Sequence, residues 1–223
     1  MNLVEYADRD LLAMDVANLL AGELKSALLA RDTVSFAVPG GTTPGPIFDA
    51  LCAANLDWDR VYVLPTDERW VPQDSERSNG RLITSRLLVN RAAAAQFLPL
   101  HADTENPEDV LPELEAQIAP HLPLSVLLLG MGADMHVASL FPGAPGLAEA
   151  LAPDAPILAV TRPASQPEPR VTLTAPVLNG ALSKHIVILG KDKREALEKA
   201  RFLEPDEAPV TAVLSGATVH WAE

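Results

Sequence analysis

Two residues suited to acid–base chemistry lie near the middle of the chain, behind a mostly apolar run. Asp134 and His136 follow residues 124–129 and the two glycines Gly130 and Gly132. A neutral imidazole can take a proton from water, and its ordinary pKa of about 6.5 suits that work. A carboxylate two residues earlier could orient the ring or stabilise its charged form. The pattern favours His136 as a general base assisted by Asp134. The alternative is a histidine that only supports the fold.

A glycine-containing segment nearer the start of the chain could hold an anion. Gly40 and Gly41 would let the backbone approach phosphate oxygens, and Thr42 and Thr43 supply hydroxyl donors beside the start of a predicted helix. The same residues are equally compatible with a tight turn between a strand and a helix. The segment matches neither the Walker pattern nor the dinucleotide-binding glycine fingerprint.

Charged residues at other predicted strand ends could complete such a site. Asp67 and Arg69 would place an acid or base beside a cation. Arg170 and Lys193 are candidate phosphate anchors, since arginine can grip phosphate with two hydrogen bonds and lysine acts as a point charge. Asp67, Glu68 and Arg69 could instead form a solvated charge cluster, and a surface role explains each basic residue better when it is taken alone.

Other chemistries have weaker support. Ser139 lacks the Gly-x-Ser-x-Gly setting of a serine nucleophile, and Cys52 lies in an apolar helical stretch where a core position is expected. No His-x-x-x-His motif or carboxylate cluster predicts a metal site. The remaining histidines stand in ordinary loop or strand-edge contexts and are expected to be solvated or satisfied in the core: His101, His121, His185 and His220.

The elements that must position these residues alternate along the chain. One amphipathic helix is expected within the first thirty residues, and further helices over residues 44–54, 79–89, 108–118 and 192–202. Strands are expected at residues 33–38, 61–64, 124–129, 157–160, 171–174, 186–189 and 210–214. This alternation predicts an α/β fold, a Rossmann-like parallel sheet flanked by helices on both faces.

The fold class predicts where the candidate residues meet. In open parallel sheets, ligands bind beyond the carboxyl ends of the strands. Four polar or glycine-rich segments are expected there: residues 39–44, 66–69, 130–136 and 190–193. The proline-rich stretch 144–176 is expected to be a long surface connection.

Composition limits the kinds of partner. With 17 Lys and Arg against 30 Asp and Glu, the net charge of −13 opposes nucleic acids and anionic membrane surfaces. A single cysteine rules out an internal disulfide. The 223 residues predict one domain, and no signal peptide or membrane-spanning run is recognisable, which favours the cytoplasm. No obligate protein partner is evident.

Taken together, the segments resemble the bacterial 6-phosphogluconolactonases over nearly the whole chain. The runs that carry the resemblance are residues 38–44, residues 66–72 with Ser78-Asn79, residues 129–143, residues 170–174 and residues 219–221. The third run is long and specific, and the order and spacing agree.

The resemblance implies the sugar-phosphate isomerase-like fold and hydrolysis of 6-phospho-D-glucono-1,5-lactone to 6-phospho-D-gluconate, with no metal or coenzyme. It implies that His136 is the general base and that Asp134 supports it. Asp67 and Arg69 would lie beside the reacting end, where Arg69 could counter charge on the oxyanion. The residues implied to hold the phosphate are Gly40, Gly41, Thr42, Arg170 and Lys193.

The chain departs from the family pattern at two positions. The family usually reads Asp-Gly-His-Thr, and here Met135 and Val137 stand in place of the glycine and the threonine. If the glycine has a positive φ, Met135 would adopt it at a cost of about 1 kcal/mol or more. Val137 lacks the hydroxyl that the threonine could donate.

Two rival functions remain. A glucosamine-6-phosphate deaminase-like isomerase would share the fold, but tyrosine would be expected where Arg69 stands and an Asn-Glu-Pro-Gly run where Ser139–Gly143 follows the histidine. A non-catalytic sugar-phosphate sensor would need the phosphate anchors but not the base. Ammonia release would identify the first rival, and binding without turnover the second.

Overall fold

The strands of the main sheet are short, and most are buried on both faces by the helices that connect them. The computed structural model describes residues 1–223. The strands are β1 (Asn2–Glu5), β2 (Val34–Val38), β3 (Val61–Pro65), β4 (Asp67–Arg69), β5 (Gln96–Phe97), β6 (Val126–Gly130), β7 (Leu158–Thr161), β8 (Arg170–Leu173), β9 (Ser183–Leu189) and β10 (Thr218–Ala222). The helices are α1 (Arg9–Ala30), α2 (Gly45–Leu51), α3 (Asn79–Arg86), α4 (Leu111–Ile118), α5 (Leu147–Leu151), α6 (Ala175–Asn179) and α7 (Lys191–Ala200).

Seven strands form one sheet in the order β1-β10-β9-β6-β2-β3-β5, and every neighbouring pair is parallel. All five residues of β2 are buried, as expected for a strand covered on both faces. Two apolar clusters of 31 and 24 buried residues pack around this sheet. The predicted α/β class and parallel sheet are therefore confirmed.

Strands β4, β8 and β7 form a second sheet, which is antiparallel. It corrects the prediction of a surface connection over residues 144–176, since Leu147, Leu158, Val171 and Leu173 of that stretch are buried. The prolines there lie outside β7 and β8, so they interrupt no ladder hydrogen bond.

The two ends of the chain differ from the predicted elements. Residues 210–214 are not a strand, because Pro209–Ala212 is a 3-10 helix that buries Val210 and Val213 at a spacing of three. The last strand is instead β10, which pairs with β9 and with the unpredicted edge strand β1. None of the helices combines the length and apolar character that crossing a membrane requires.

A buried polar chain ties α1 to the sheet. Tyr6 Oη lies 2.9 Å from His220 Nδ1, His220 Nε2 lies 3.0 Å from His185 Nδ1, and His185 Nε2 lies 2.9 Å from a Glu23 oxygen. Because the Glu23 carboxylate can only accept, His185 donates to it and, with both rings neutral, accepts from His220. The prediction of satisfied core positions for His185 and His220 is confirmed.

Acidification should destabilise this fold. Burial, together with the charge of His185, lowers the pKa of His220 to about 4. The unfolded value is about 6.5, so between the two values only the unfolded chain binds the proton. The free energy of unfolding should therefore fall as the pH drops from about 6.5 towards 4, by up to about 3 kcal/mol if each pKa unit is worth about 1.4 kcal/mol.

Urea unfolding of wild type and His220→Gln at pH 7 and pH 5 would measure this contribution. His220→Gln should be less stable at pH 7 but show a smaller loss between the two pH values. Equal losses in both proteins would mean that the buried chain is not the source.

Candidate active site

One polar cleft collects almost all of the predicted site residues. It lies beyond the carboxyl ends of β9, β6, β2 and β3, which are neighbours in the main sheet. The cleft has a volume of about 230 Å³. Its lining residues are Pro39, Gly40, Gly41, Thr42, Thr43, Asp67, Arg69, Asn79, Gly130, Met131, Gly132, His136, Ala138, Arg170 and Lys193. Asp134 does not line the cleft, but it contacts His136, which does.

His136 and Asp134 form a close pair. His136 Nδ1 lies 2.5 Å from Asp134 Oδ1, and the same oxygen accepts the His136 backbone N–H at 3.3 Å. Burial disfavours the charged Asp134, but the His136 hydrogen bonds outweigh that effect and hold the pKa of this carboxyl below its ordinary value. Nδ1 therefore carries the proton, which leaves the Nε2 lone pair of the neutral ring unshared with another side chain. The ring stacks on Phe141 with centroids 4.2 Å apart.

The turn that carries this pair has an unusual backbone. Met135 has φ 69 and Ala138 has φ 48, a region that side chains other than glycine rarely occupy. The left-handed conformation anticipated for Met135 is therefore present, at a cost of about 1 kcal/mol or more. Three backbone hydrogen bonds hold Gly132, Met135 and His136 in this turn: Gly132 N–H donates to His136 O at 3.0 Å, Met135 N–H donates to Gly132 O at 3.0 Å, and Val210 N–H donates to Met135 O at 3.1 Å.

The second sheet fixes the other side of the cleft through Ser139. Its backbone N–H donates to Thr172 Oγ1 at 3.2 Å, and its carbonyl accepts from Thr161 Oγ1 at 2.8 Å. Its hydroxyl donates to Asp67 Oδ2 at 2.6 Å. Ser139 is thus a structural link between the His136 turn and β4, β7 and β8. Cys52 is buried after α2, as predicted for a core residue.

Arg170 is buried beside acidic groups but is not fully engaged by them. Nη1 lies 3.8 Å from Asp67 Oδ2 and Nη2 lies 3.7 Å from Glu168 Oε1, while Nη2 donates to Gln166 Oε1 at 2.5 Å. Nε has no hydrogen-bond partner. Burial lowers the pKa of Arg170, and the Asp67 carboxylate opposes that shift. A buried guanidinium with free donors is suited to an anionic ligand.

Arg69 and Lys193 add two further cations to the lining. Arg69 Nη1 donates to the Arg77 carbonyl at 2.6 Å, whereas its Nε is buried without a partner. Lys193 lies in the first turn of α7, half-buried and in no ion pair. The cleft lining therefore carries more cations than anions, although the protein as a whole has a net charge of −13.

Glu68, between two predicted site residues, has a structural role that the sequence did not reveal. It is only 2% exposed, and it accepts hydrogen bonds from the backbone of Arg69, Asn79 and Gly80 at 2.7 Å each and from Ser78 Oγ at 3.0 Å. Burial raises the pKa of Glu68, although these hydrogen bonds act against the shift. Glu68 joins β4 to the start of α3.

In the glycine segment after β2, a side chain lies close to the backbone, and the predicted approach of this backbone to phosphate stays a prediction. Gly41 has φ 85. A Cβ on Gly40 would lie 1.8 Å from Asn79 Oδ1, so only glycine fits there without displacing the amide. No group of three or more His, Cys, Asp or Glu side chains is arranged to hold a metal ion.

Comparison with known proteins gives consistent results. The sequence profile described as glucosamine-6-phosphate isomerases/6-phosphogluconolactonase matches residues 7–221. A 6-phosphogluconolactonase of Mesorhizobium japonicum is 42% identical over 97% of this chain and 93% of its own length, and one of Rhizobium meliloti is 38% identical over 99% and 98%.

Solved structures agree with the sequence comparison. A 6-phosphogluconolactonase from Shewanella baltica is 30% identical, covers 100% of this chain and 98% of its own, and superposes with a TM-score of 0.95. A monomeric glucosamine-6-phosphate deaminase has a TM-score of 0.83 with 16% identity over 100% of this chain and 98% of its own, a likeness of fold alone.

Proposed function

The chain belongs to the glucosamine-6-phosphate isomerase/6-phosphogluconolactonase family, and from that premise we propose that it hydrolyses 6-phospho-D-glucono-1,5-lactone to 6-phospho-D-gluconate. The proposal makes it a carboxylic ester hydrolase of the oxidative pentose phosphate pathway. The observation that carries the mechanism is the 2.5 Å contact between His136 Nδ1 and Asp134, because it leaves Nε2 as the proton acceptor at the cleft.

We propose that Nε2 of His136 takes a proton from a water molecule as its oxygen attacks the lactone carbonyl. Asp134 stabilises the imidazolium that forms. The carbonyl oxygen becomes an oxyanion, and Arg69, held beside the reacting end, counters its charge. When the tetrahedral intermediate collapses, the bond between C1 and the ring oxygen breaks and His136 returns the proton to that oxygen. The product is the open-chain acid.

The positive groups of the lining hold the phosphate in this proposal. Arg170 and Lys193 supply charge, and the backbone and hydroxyl of Gly40, Gly41 and Thr42 supply neutral donors. Asp67, fixed by Ser139, keeps the Arg170 side chain in place. Positioning of the substrate and one general base are sufficient for catalysis, because a six-membered lactone already hydrolyses slowly in water.

The test is a coupled assay with freshly generated lactone. It compares the rate of 6-phosphogluconate formation with enzyme to the rate of spontaneous hydrolysis, with EDTA present in both reactions. Acceleration under these conditions would support both the reaction and its independence of metal. Loss of activity with EDTA and recovery on adding metal would overturn the metal-free mechanism. Ammonia release from glucosamine 6-phosphate would favour the isomerase, and ligand binding without turnover would favour the sensor.

The location of the protein and its partners are also proposals. We propose that the chain acts as a single domain in the cytoplasm on a small sugar phosphate, with no cofactor, nucleic acid or obligate protein partner. The net charge of −13 supports the exclusion of nucleic acid.

A methyl group placed beside the histidine pair should lower activity without unfolding the protein. A Cβ on Gly132 would lie 2.2 Å from His136 Nδ1 and 2.4 Å from Asp134 Oδ1, so these side chains must rotate away. We expect Gly132→Ala to lower kcat by about 10- to 100-fold, the usual scale for misplacing a catalytic group.

Gly22→Ala is the control, because a Cβ on this residue of α1 meets no atom within 4 Å and Gly22 does not line the cleft. It should keep near-wild-type kcat, and thermal unfolding should confirm that both variants fold. Equal activity in the two variants would argue against a role for the pair's geometry.

A further inference from the structure

The solvent-facing side of α1 is apolar, unlike that of an ordinary surface helix. Seven large apolar side chains of the protein are exposed, and four of them lie on this one helix: Leu11, Met14, Leu19 and Leu29, with exposed fractions of 43%, 60%, 39% and 86%. A fifth, Leu182, lines together with Leu19 a groove of about 570 Å³ along α1. Apolar side chains gathered on one exposed face mark an interaction site.

The outer face of α1 comprises these four apolar residues together with Asp15 and Lys25. Both charged residues are exposed, and neither forms an ion pair in its own chain. Beyond the first turn, the only other charged residue of α1 is Glu23, which hydrogen-bonds His185 and so is already satisfied. The outer face therefore fits a partner that offers apolar side chains and one charge of each sign.

A second copy of the chain offers this combination in the correct register. In an antiparallel pair of helices related by a two-fold axis level with Leu20, residues equally far from Leu20 on the two helices lie level with each other. Asp15 then lies level with Lys25 of the partner subunit, five residues from Leu20, and Leu11 with Leu29 of the partner subunit, nine residues from it. Leu11 and Leu29 point in the same direction, because 18 residues make five helical turns, and Asp15 and Lys25 deviate from that direction by about 40°. We propose that the protein forms a two-fold symmetric dimer in which the outer faces of α1 pack antiparallel.

The charges select the orientation of the two helices. The two-fold axis makes each contact occur twice, so the antiparallel dimer contains two pairs of Asp15 with Lys25 and two pairs of Leu11 with Leu29. Parallel helices in the same register would instead set each charge beside its own like charge, which is destabilising.

The dimer and the proposed lactonase chemistry are independent of each other. None of the residues that line the cleft belongs to α1, so each copy keeps a complete cleft. One helix from each copy gives a small interface, and the association should be weak and reversible.

Sedimentation velocity over protein concentrations from about 1 µM to 1 mM would test the dimer, because weak specific association falls within this range. Wild type should pass reversibly from monomer to dimer as the concentration rises. Leu29→Glu sets a carboxylate against the Leu11 side chain at both symmetric positions and should raise the dimer Kd at least roughly tenfold. Phe202→Glu is the matched control, since Phe202 is equally exposed, at 88%, but lies outside α1, and it should leave the Kd unchanged.

An exchange of charges tests the antiparallel register itself. Asp15→Lys alone brings like charges level with each other at both symmetric positions and should raise the Kd by about three- to tenfold, and Lys25→Asp should do the same. The combined variant restores opposite charges, and its Kd should return to within about twofold of the wild-type value. Both residues are exposed, and thermal unfolding should show that each variant folds. Recovery on adding the second substitution cannot arise from damage to the fold.

Three results would overturn the proposal. Wild type that stays monomeric up to about 1 mM forms no such dimer. A dimer whose Kd is unchanged in Leu29→Glu does not form through the outer face of α1. A combined variant that associates no more tightly than its single variants rules out the antiparallel register. None of these results bears on lactone hydrolysis, because the cleft is complete in one copy.

Discussion

His136→Ala should lower kcat for the phosphorylated lactone by about 100-fold or more with little change in KM, the usual scale for loss of a general base. The expectation follows from the geometry of the pair. Nδ1 is committed to Asp134 at 2.5 Å, so Nε2 is the only histidine nitrogen that can take the proton of the attacking water. Residual activity should come from the groups that bind the substrate, which this change leaves in place.

Steady-state kinetics corrected for spontaneous hydrolysis would measure the effect. Asp134→Asn is the informative companion, since it removes the charge that stabilises the imidazolium but retains the base, and its loss of kcat should be smaller. Near-wild-type turnover by His136→Ala would remove His136 from the mechanism.

Arg170→Ala should raise KM for the phosphorylated lactone by roughly 10- to 100-fold, the range expected when a charge-assisted contact to phosphate is lost. The guanidinium is buried, its Nε has no partner, and its nearest carboxylate oxygens lie 3.7 and 3.8 Å away. Arg170 lines the cleft and no carboxylate oxygen lies within hydrogen-bond distance of its guanidinium, so we expect a bound phosphate to engage it and kcat to change less than KM.

Unphosphorylated glucono-1,5-lactone provides the control for Arg170→Ala, because its KM should be almost unaffected by loss of a phosphate anchor. Lys193→Ala should show the same selectivity with a smaller effect on stability, since Lys193 is only half-buried and makes no ion pair. If Arg170→Ala impairs both lactones equally, Arg170 is not a phosphate anchor and acts through Asp67 instead.

The sequence could predict that the site residues lie close together, because ligands bind beyond the carboxyl ends of the strands in open parallel sheets. Once the strands are taken as parallel, the segments after β2, β3, β6 and β9 must lie at one end of the sheet. The structure brings Gly40, Asp67, His136 and Lys193 to one cleft. That each of them performs its expected role stays a prediction until the variants are measured.

Other features depend on contacts between distant segments, which local pattern does not report. Arg170 reaches the cleft because β8 pairs antiparallel with β4, a second sheet that the alternation of helices and strands did not suggest. Asn79 appeared only as part of a family motif, and its side chain is held by the Asp67 carbonyl, which accepts from Nδ2 at 2.8 Å. Glu68 resembled a solvated charge because neighbouring residues in the sequence gave no sign of the backbone amides that surround it.

The pairing of β1 with β10 has a consequence for how the protein is made. Tyr6, directly after β1, contacts His220 of β10, which is 214 residues away in sequence. Because synthesis runs from the N-terminus, β1 has no strand to join until β10 has been translated, although α1 and the strands beneath it can already assemble. A chain truncated before β10 loses His220 with that strand, leaves β1 without its partner and turns β9 into an open edge of the sheet, which is prone to pair with other molecules. β1 therefore joins the sheet only after both β9 and β10 have been made.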